Sequence, residues 1–243
     1  MKPRRNTPQL YSGMQQFRWV VVTKILNFIL NILCKVDSRE YAEALSKTKP
    51  SILLINHINF LEVPMLMTSG YPVYCTGMAK AETWDNPIMS FIFNTYRAIP
   101  INREGSFRET FRKVREAIEN GFYVVIAPEG TRSKDGILQK GKAGIIQLAL
   151  ESNAPILPVA HFGGQQIWKN IKRFRRTPFQ FRAGKPFRIK CEGGRPGKGE
   201  REQILNEVMS QIARLLPEEM RGAYTENAEQ ECMHLEFVEC YDN

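Results

Sequence analysis

The stretch Ile52-Leu-Leu-Ile-Asn-His-Ile-Asn-Phe-Leu-Glu62 decides how this chain is read. Four consecutive aliphatic residues, Ile52 to Ile55, leave no polar side to turn toward water, so they read as a strand buried on both faces. An amide and an imidazole follow at once, and a carboxylate stands five residues past His57. Polar groups at the exit of an apolar strand are costly unless they are used. An imidazole whose ordinary pKa is near 6.5 suits removal of a proton from a hydroxyl, provided a second group fixes its tautomer and supports the imidazolium. A carboxylate does both, and a turn leading into a helix at Leu61 brings Glu62 within reach of His57. The same residues also fit a histidine capping a helix with a glutamate in its first turn.

Working outward, the chain alternates from Pro50 onward. Ser51–Ile55, Val73–Met78, Ala98–Ile101, Phe122–Ala127 and Ile156–Phe162 read as strands. Helical patterns lie between them. Ser106-Phe-Arg-Glu109 is a capping-box sequence, and Phe107, Phe111, Val114 and Ile118 share one face before Asn120-Gly121 ends the helix. Asn86-Pro87 suits a helix start. Lys142–Glu151 and Glu200–Leu216 supply two more helices. Phe179–Arg182 and Pro186–Lys190, linked by Ala183-Gly184-Lys185, read as late edge strands or a hairpin. The expected fold is therefore α/β, with a mixed, largely parallel central sheet flanked by helices. Residues 37–243 form the α/β domain with a helical C-terminal tail, and residues 1–36 form an N-terminal segment.

That segment holds an apolar helix, Gln16 to Lys35. Projected at about 100° per residue, Gln16, Thr23, Lys24, Asn27, Asn31 and Lys35 fall in one narrow stripe, and apolar residues from Trp19 to Leu33 cover most of the rest. The lysine and asparagines near its middle point to a helix lying in a membrane interface, or dipping in without crossing. A helix packed on the protein's own core is the competing reading. The polar, proline-containing start and the lack of a small-residue cleavage site argue against a cleaved signal peptide.

The 243 residues are 43% hydrophobic and 24% charged, which suits a folded chain and not a disordered one. A formal charge of +9 calls for an anionic partner: membrane, nucleic acid or a phosphorylated substrate. Five scattered cysteines without a Cys-x-x-Cys argue against a disulfide framework or zinc ribbon and favour a reducing compartment.

The first four apolar runs each have a polar residue just past the carboxyl end: His57, Lys80, Arg103 and Glu129. In open α/β sheets that rim binds ligands. A base, two cations and a carboxylate there suit an anionic substrate. After the fourth strand comes Ala127-Pro-Glu-Gly-Thr-Arg-Ser133, in which glycine permits close backbone approach, the hydroxyls donate hydrogen bonds and Arg132 can pair with phosphate. Ile156-Leu-Pro-Val-Ala-His-Phe-Gly163 is a strand with a proline near its start.

In order and spacing these blocks, over roughly residues 15 to 215, resemble the glycerolipid acyltransferase family that makes phosphatidic acid from lysophosphatidic acid. Asn56–Glu62 is similar to that family's His-x-x-x-x-Asp block, Ile99-Pro-Ile-Asn-Arg103 to its Arg-bearing block, Pro128–Ser133 to its Pro-Glu-Gly-Thr-Arg block and Ile156–Val159 to its Pro-bearing block. Lys80 and Lys140-Gly141 lie where the family carries basic residues. The resemblance implies that His57 is a general base oriented by Glu62. The deprotonated hydroxyl would attack the thioester of acyl-CoA or acyl carrier protein directly, without an acyl-enzyme. No Gly-x-Ser-x-Gly nucleophile elbow is present, in keeping with that. Lys80, Arg103, Glu129, Gly130, Thr131 and Arg132 would bind the acceptor, Glu129 by positioning Arg or backbone groups. No cofactor and no metal are implied. The chain departs from the family with Glu62 in place of aspartate and Ile-Asn-Arg in place of Ile-Asp-Arg, which bears on the identity of the acceptor.

Other features point elsewhere. Gly136-Ile-Leu-Gln-Lys-Gly-Lys-Ala143 approaches a P-loop but lacks its Ser/Thr and a preceding strand. His161 reads as a hydrogen-bonded core or rim residue, and His234, near Cys232 and Cys240, as part of a solvated helix. The basic, aromatic stretch Trp168–Arg176 suits anionic headgroups or CoA phosphates, and equally a nucleic-acid module, although no nucleic-acid fold signature accompanies it. The expectation is an enzyme on the cytoplasmic face of a membrane, with a lysophospholipid acceptor and no nucleic acid. The alternatives are another lysophospholipid acceptor or a non-catalytic basic membrane- or nucleic-acid-binding protein.

Overall fold

The computed structural model describes residues 11–101, 107–191, 193–194, 196–228 and 230–239, with the backbone alone of Phe107. Strand β2 (Ile52–Ile55) is wholly buried, as a run of four aliphatic residues requires. It lies between β5 (Tyr123–Ile126) and β6 (Ile156–Phe162), parallel to both. β3 (Cys75–Lys80) continues the sheet beside β5, and β4 (Ile99–Ile101) beside β3, again parallel.

Alternate residues of these strands feed two cores. Ile52, Leu54, Val124, Ile126 and Ile156 pack toward α5 (Phe107–Glu119), α6 (Gly144–Ser152) and α8 (Lys198–Ala213). Leu53, Ile55, Val125, Leu157 and Val159 pack on the other face, toward α1 (Gly13–Leu33), α2 (Arg39–Lys47) and α3 (Glu62–Ser69). This is the covered sheet that period-free apolar strands demand, each large side chain contributing about 1.5–3 kcal/mol on burial.

The connections fix where a ligand would sit. From β2 the chain crosses by α3 to β3 on one side, and from β5 it crosses by α6 to β6 on the other. The path therefore reverses between β2 and β5, and a crevice opens at their carboxyl ends. His57 and Glu129 lie just past those two ends. Lys80 is the last residue of β3, next to Ile101 of β4. Arg103 and Ser106 lie outside the described residues.

Several expectations are corrected. Phe179–Arg182 lies within β7 (Thr177–Ala183), which is interior, antiparallel to β6 and parallel to β1 (Cys34–Asp37). β8 (Phe187–Ile189) pairs with β6 and β9 (Leu235–Phe237), and among the described residues β7 and β8 do not pair with each other. Both strands follow the same edge of β6 in succession, so Ala183-Gly184-Lys185 is a step along that edge and not a hairpin turn. The residues around His234 form no helix: His234 leads into β9, its ring and backbone N–H bonded to the Glu207 carboxylate at 2.8 and 2.9 Å.

The N-terminal helix begins at a capping box on Ser12 and Gln15. Two of the six residues of its predicted polar stripe turn inward: Gln16 donates to the Tyr74 hydroxyl and Thr23 shares a hydrogen bond with the Tyr96 hydroxyl. Trp19 is buried among Tyr71 and Tyr74, and Leu30 is buried below it. The opposite side is open and apolar. Met14, Phe17, Ile25, Phe28, Ile29 and Ile32 are exposed, Phe17 to 71% and Phe28 to 70%. By length and composition α1 suffices to cross a membrane. Beside it α4 (Pro87–Thr95), capped by Asn86 as its Asn-Pro start predicts, exposes Ile88, Met89 and Phe91.

Candidate active site

The site grows from the strand end. Beyond Ile55 the Asn56 side chain replaces the backbone ladder: its Oδ1 accepts from His161 N and its Nδ2 donates to His161 O, both at 2.9 Å. The chain then turns through His57–Leu61, with Asn59 Oδ1 accepting from Leu61 N at 2.8 Å. Glu62, the first residue of α3, folds back into this turn.

Glu62 is fully buried, so its charge must be met by donors. Oε1 hydrogen-bonds His57 Nδ1. Oε2 accepts from Ile58 N at 2.9 Å and Asn59 N at 2.8 Å, and lies 3.0 Å from His161 Nε2. Burial by itself would raise the carboxyl, but the hydrogen bonds from His161 and His57 outweigh it and hold the group at about 2. With Nδ1 donating to a carboxylate, His57 presents its Nε2 lone pair outward from a side chain that is 25% exposed.

The Pro128–Ser133 turn is tied to the same histidine through its backbone. Glu129 Oε1 accepts from His57 N at 2.6 Å and Oε2 from Gln139 N at 2.9 Å, while Ser133 N donates to His57 O at 2.7 Å. Glu129 thus brackets two loops. Burial drives its carboxyl up to about 7, against the lowering effect of those backbone hydrogen bonds. Gly130 adopts φ +67°, which favours glycine, and a Cβ there would stand 2.7 Å from Lys142 Nζ. Thr131, Arg132, Lys80 and Lys142 are exposed, and none of the four side chains has a hydrogen-bond partner among the described residues.

Of the residues singled out in the sequence, His57, Glu62 and Glu129 come together at the crevice, with Gly130, Thr131 and Arg132 following in the same turn. Lys80 ends the neighbouring strand, and Arg103 is outside the described residues. Asn56, His161 and Lys142 belong to the assembly too. Their signals were an amide beside the histidine, a lone polar residue in an apolar strand, and a second lysine two past Lys140.

A crevice at a parallel-sheet switch point, carrying a histidine–carboxylate pair and cations unpaired among the described residues, defines the class. The sequence model of the acyltransferase family matches residues 34–161, and the chain belongs to that family. It is similar to 1-acyl-sn-glycerol-3-phosphate acyltransferases of Limnanthes douglasii (28% identity, covering 65% of this chain and 56% of that one) and Limnanthes alba (31%, 54% and 47%). A relative of the same name from Pseudomonas aeruginosa is 29% identical over 48% of this chain and 46% of its own. The chain spans about half the length of these curated relatives. In fold it is similar to PlsC, the 1-acyl-sn-glycerophosphate acyltransferase of Thermotoga maritima, with TM-score 0.60, 19% identity, and coverage of 91% of this chain and 86% of that one.

The elevated Glu129 carboxyl makes a pH prediction. A folded-state value above the ordinary 4.5 means that its stabilising contribution is complete below about 4.5 and is lost as pH rises through about 7. Between about pH 5 and about pH 8 the wild type should lose on the order of 3 kcal/mol relative to Glu129→Gln, read from urea unfolding in detergent. Parallel pH dependences would place the titration elsewhere.

Proposed function

We propose that this protein transfers a fatty acyl group from the thioester of acyl-CoA or acyl carrier protein to a free hydroxyl of lysophosphatidic acid. The product is phosphatidic acid, and the reaction passes through no acyl-enzyme. The observation that carries this reading is the Glu62–His57 Nδ1 hydrogen bond, which leaves Nε2 as the free base at the crevice. Membership of the acyltransferase family and the names of the relatives support the reaction class and the acceptor.

In this mechanism His57 Nε2 takes the hydroxyl proton as the oxygen attacks the thioester carbonyl. Glu62 stabilises the imidazolium without accepting the proton. The C–S bond then breaks, and the departing thiolate receives the proton from His57. Arg132 and Thr131, with Lys80 at the end of β3 and Arg103 of the Ile99–Arg103 block, hold the acceptor phosphate; charge-assisted donors are suited to that task. Glu129 acts through the backbone, holding the His57 turn against the loop at Gln139. No cofactor takes part.

The exposed apolar faces of α1 and α4 support attachment to a lipid surface, where the acceptor resides. The two helices lie side by side, with the Arg18 guanidinium 5.8 Å from the centre of the Phe91 ring. Aromatic and aliphatic side chains on such a face enter the acyl boundary while basic residues engage anionic headgroups. Cys34, Cys75, Cys191 and Cys232 form no disulfide among the described residues, which suits the cytoplasmic side.

Assay of the purified protein in detergent, with lysophosphatidic acid and other lysophospholipids against both donors, tests the reading directly. His57→Ala should lose at least about a thousandfold in turnover and keep its fold, since general-base catalysis contributes on this scale. Near-wild-type turnover would end the proposal. Arg132→Ala should raise the acceptor KM about tenfold or more with little change for the thioester, as loss of one charge-assisted hydrogen bond requires. A rise in donor KM alone would reassign the arginine to the donor. Phe17→Asp with Phe28→Asp should abolish sedimentation with anionic vesicles while leaving the melting temperature in place; unchanged sedimentation would remove α1 from the lipid contact.

A further inference from the structure

We propose that His161 is a positioning residue for the catalytic pair, fixing Glu62 from behind and setting how much of its charge reaches His57. The inference rests on the reading of His57 as general base. It starts from an anomaly in β6, where Ile156 to Ala160 are apolar or proline and His161 is wholly buried. A buried imidazole is costly without partners, and an aliphatic residue would fill a strand interior without that cost.

Its contacts define its protonation state. Nε2 faces two acceptors, Asn56 O at 2.8 Å and Glu62 Oε2 at 3.0 Å, so it carries the hydrogen. Nδ1 is buried with no partner among the described residues, so a proton there would be stranded. The ring therefore donates through Nε2. Phe179 stacks on it with centroids 5.5 Å apart and planes 13° apart, and Phe181 stands at 6.0 Å. The Asn56 side chain clamps the His161 backbone on both its N–H and C=O. Held in this way, the ring points Nε2 at Asn56 O, 2.8 Å away, with Glu62 Oε2 beside it at 3.0 Å.

The consequence for His57 follows from where the carboxylate's charge is spent. Oε2 is satisfied by two backbone N–H groups and His161, while Oε1 serves His57. Without the His161 donor, more negative charge faces His57 and the carboxylate gains freedom to turn. His57 then holds its proton more tightly, so the acid limb of the rate profile moves to higher pH. Among the described residues, the other titratable group hydrogen-bonded to this turn is Glu129, from the loop after β5, whose Oε1 meets His57 N. It is unchanged in the variants below, so its titration cancels in the comparison.

The test compares His161→Phe, which keeps a ring on Phe179 and lacks a donor, with His161→Gln, which retains an N–H. The pH dependence of kcat/KM is measured with lysophosphatidic acid and acyl-CoA. For His161→Phe, kcat should fall on the order of ten- to a hundredfold, the scale of one hydrogen bond to a charged group, with both KM values within about twofold. Its acid limb should rise by about half a pH unit or more, and His161→Gln should recover most of both effects. If His161→Phe does not fold, His161→Gln decides alone: an acid limb at the wild-type position is expected, and a displaced one overturns the inference. Wild-type turnover and profile in His161→Phe beside an inactive His57→Ala overturn this inference alone. Equal losses in both variants with an unmoved limb reduce His161 to packing. Turnover surviving in His57→Ala overturns the general-base reading and this inference with it.

Discussion

A single buried negative charge organises this end of the molecule. Glu62 has no access to water, and an unsolvated carboxylate persists only if donors surround it. They come from three places: the His57 ring, the backbone of the turn at Ile58 and Asn59, and His161 on a neighbouring strand. Satisfying the charge therefore fixes the turn after β2, the start of α3 and the end of β6 at once. The longer glutamate side chain, rather than an aspartate, spans from the helix start to both imidazoles.

Around that charge the sheet acts as a jig. β2, β5 and β3 run parallel, so their carboxyl ends open on one rim, and the reversal of connections between β2 and β5 leaves the crevice free of crossing chain. The Pro128–Ser133 turn closes it by bonding the His57 backbone from the other side. Glu129 and Glu62, two buried carboxylates, are thus treated oppositely. Glu129 receives only backbone donors and rises to about 7, whereas Glu62 receives two imidazoles as well and is held at about 2. The difference in partners, with burial similar, sets them apart.

The apolar helix presents two different faces. Trp19, Thr23 and Leu30 belong to the core, and the face carrying Phe17, Ile25 and Phe28 does not. One face of the segment packs on the protein's own core and the other stays apolar and exposed, because its apolar arc is wider than one packing surface requires.

Much was fixed by local chemistry and so was readable along the chain. The runs Ile52–Ile55, Tyr123–Ile126 and Ile156–Phe162 lack a polar face and had to be covered strands, and Asn86-Pro87 and Asn120-Gly121 bound helices for reasons of backbone conformation. His57 with Glu62 was legible because their separation is short. What lay across long sequence separations was not. Nothing near Phe179 reveals that β7 enters the sheet interior, since its partners, β1 and β6, are chosen by packing. Glu129 could be named, but that its acceptors serve His57 N and Gln139 N depends on loops that only the closed sheet brings together. His161 stands 99 residues from Glu62 in the chain, numbers 161 and 62, and only the parallel pairing of β2 with β6 places its ring behind that carboxylate. The sequence by itself determined the covered parallel sheet and the histidine–carboxylate pair, because both follow from neighbouring residues. Tertiary structure decided which groups satisfy the buried charge, because hydrogen-bond partners of a desolvated group are selected by proximity in space.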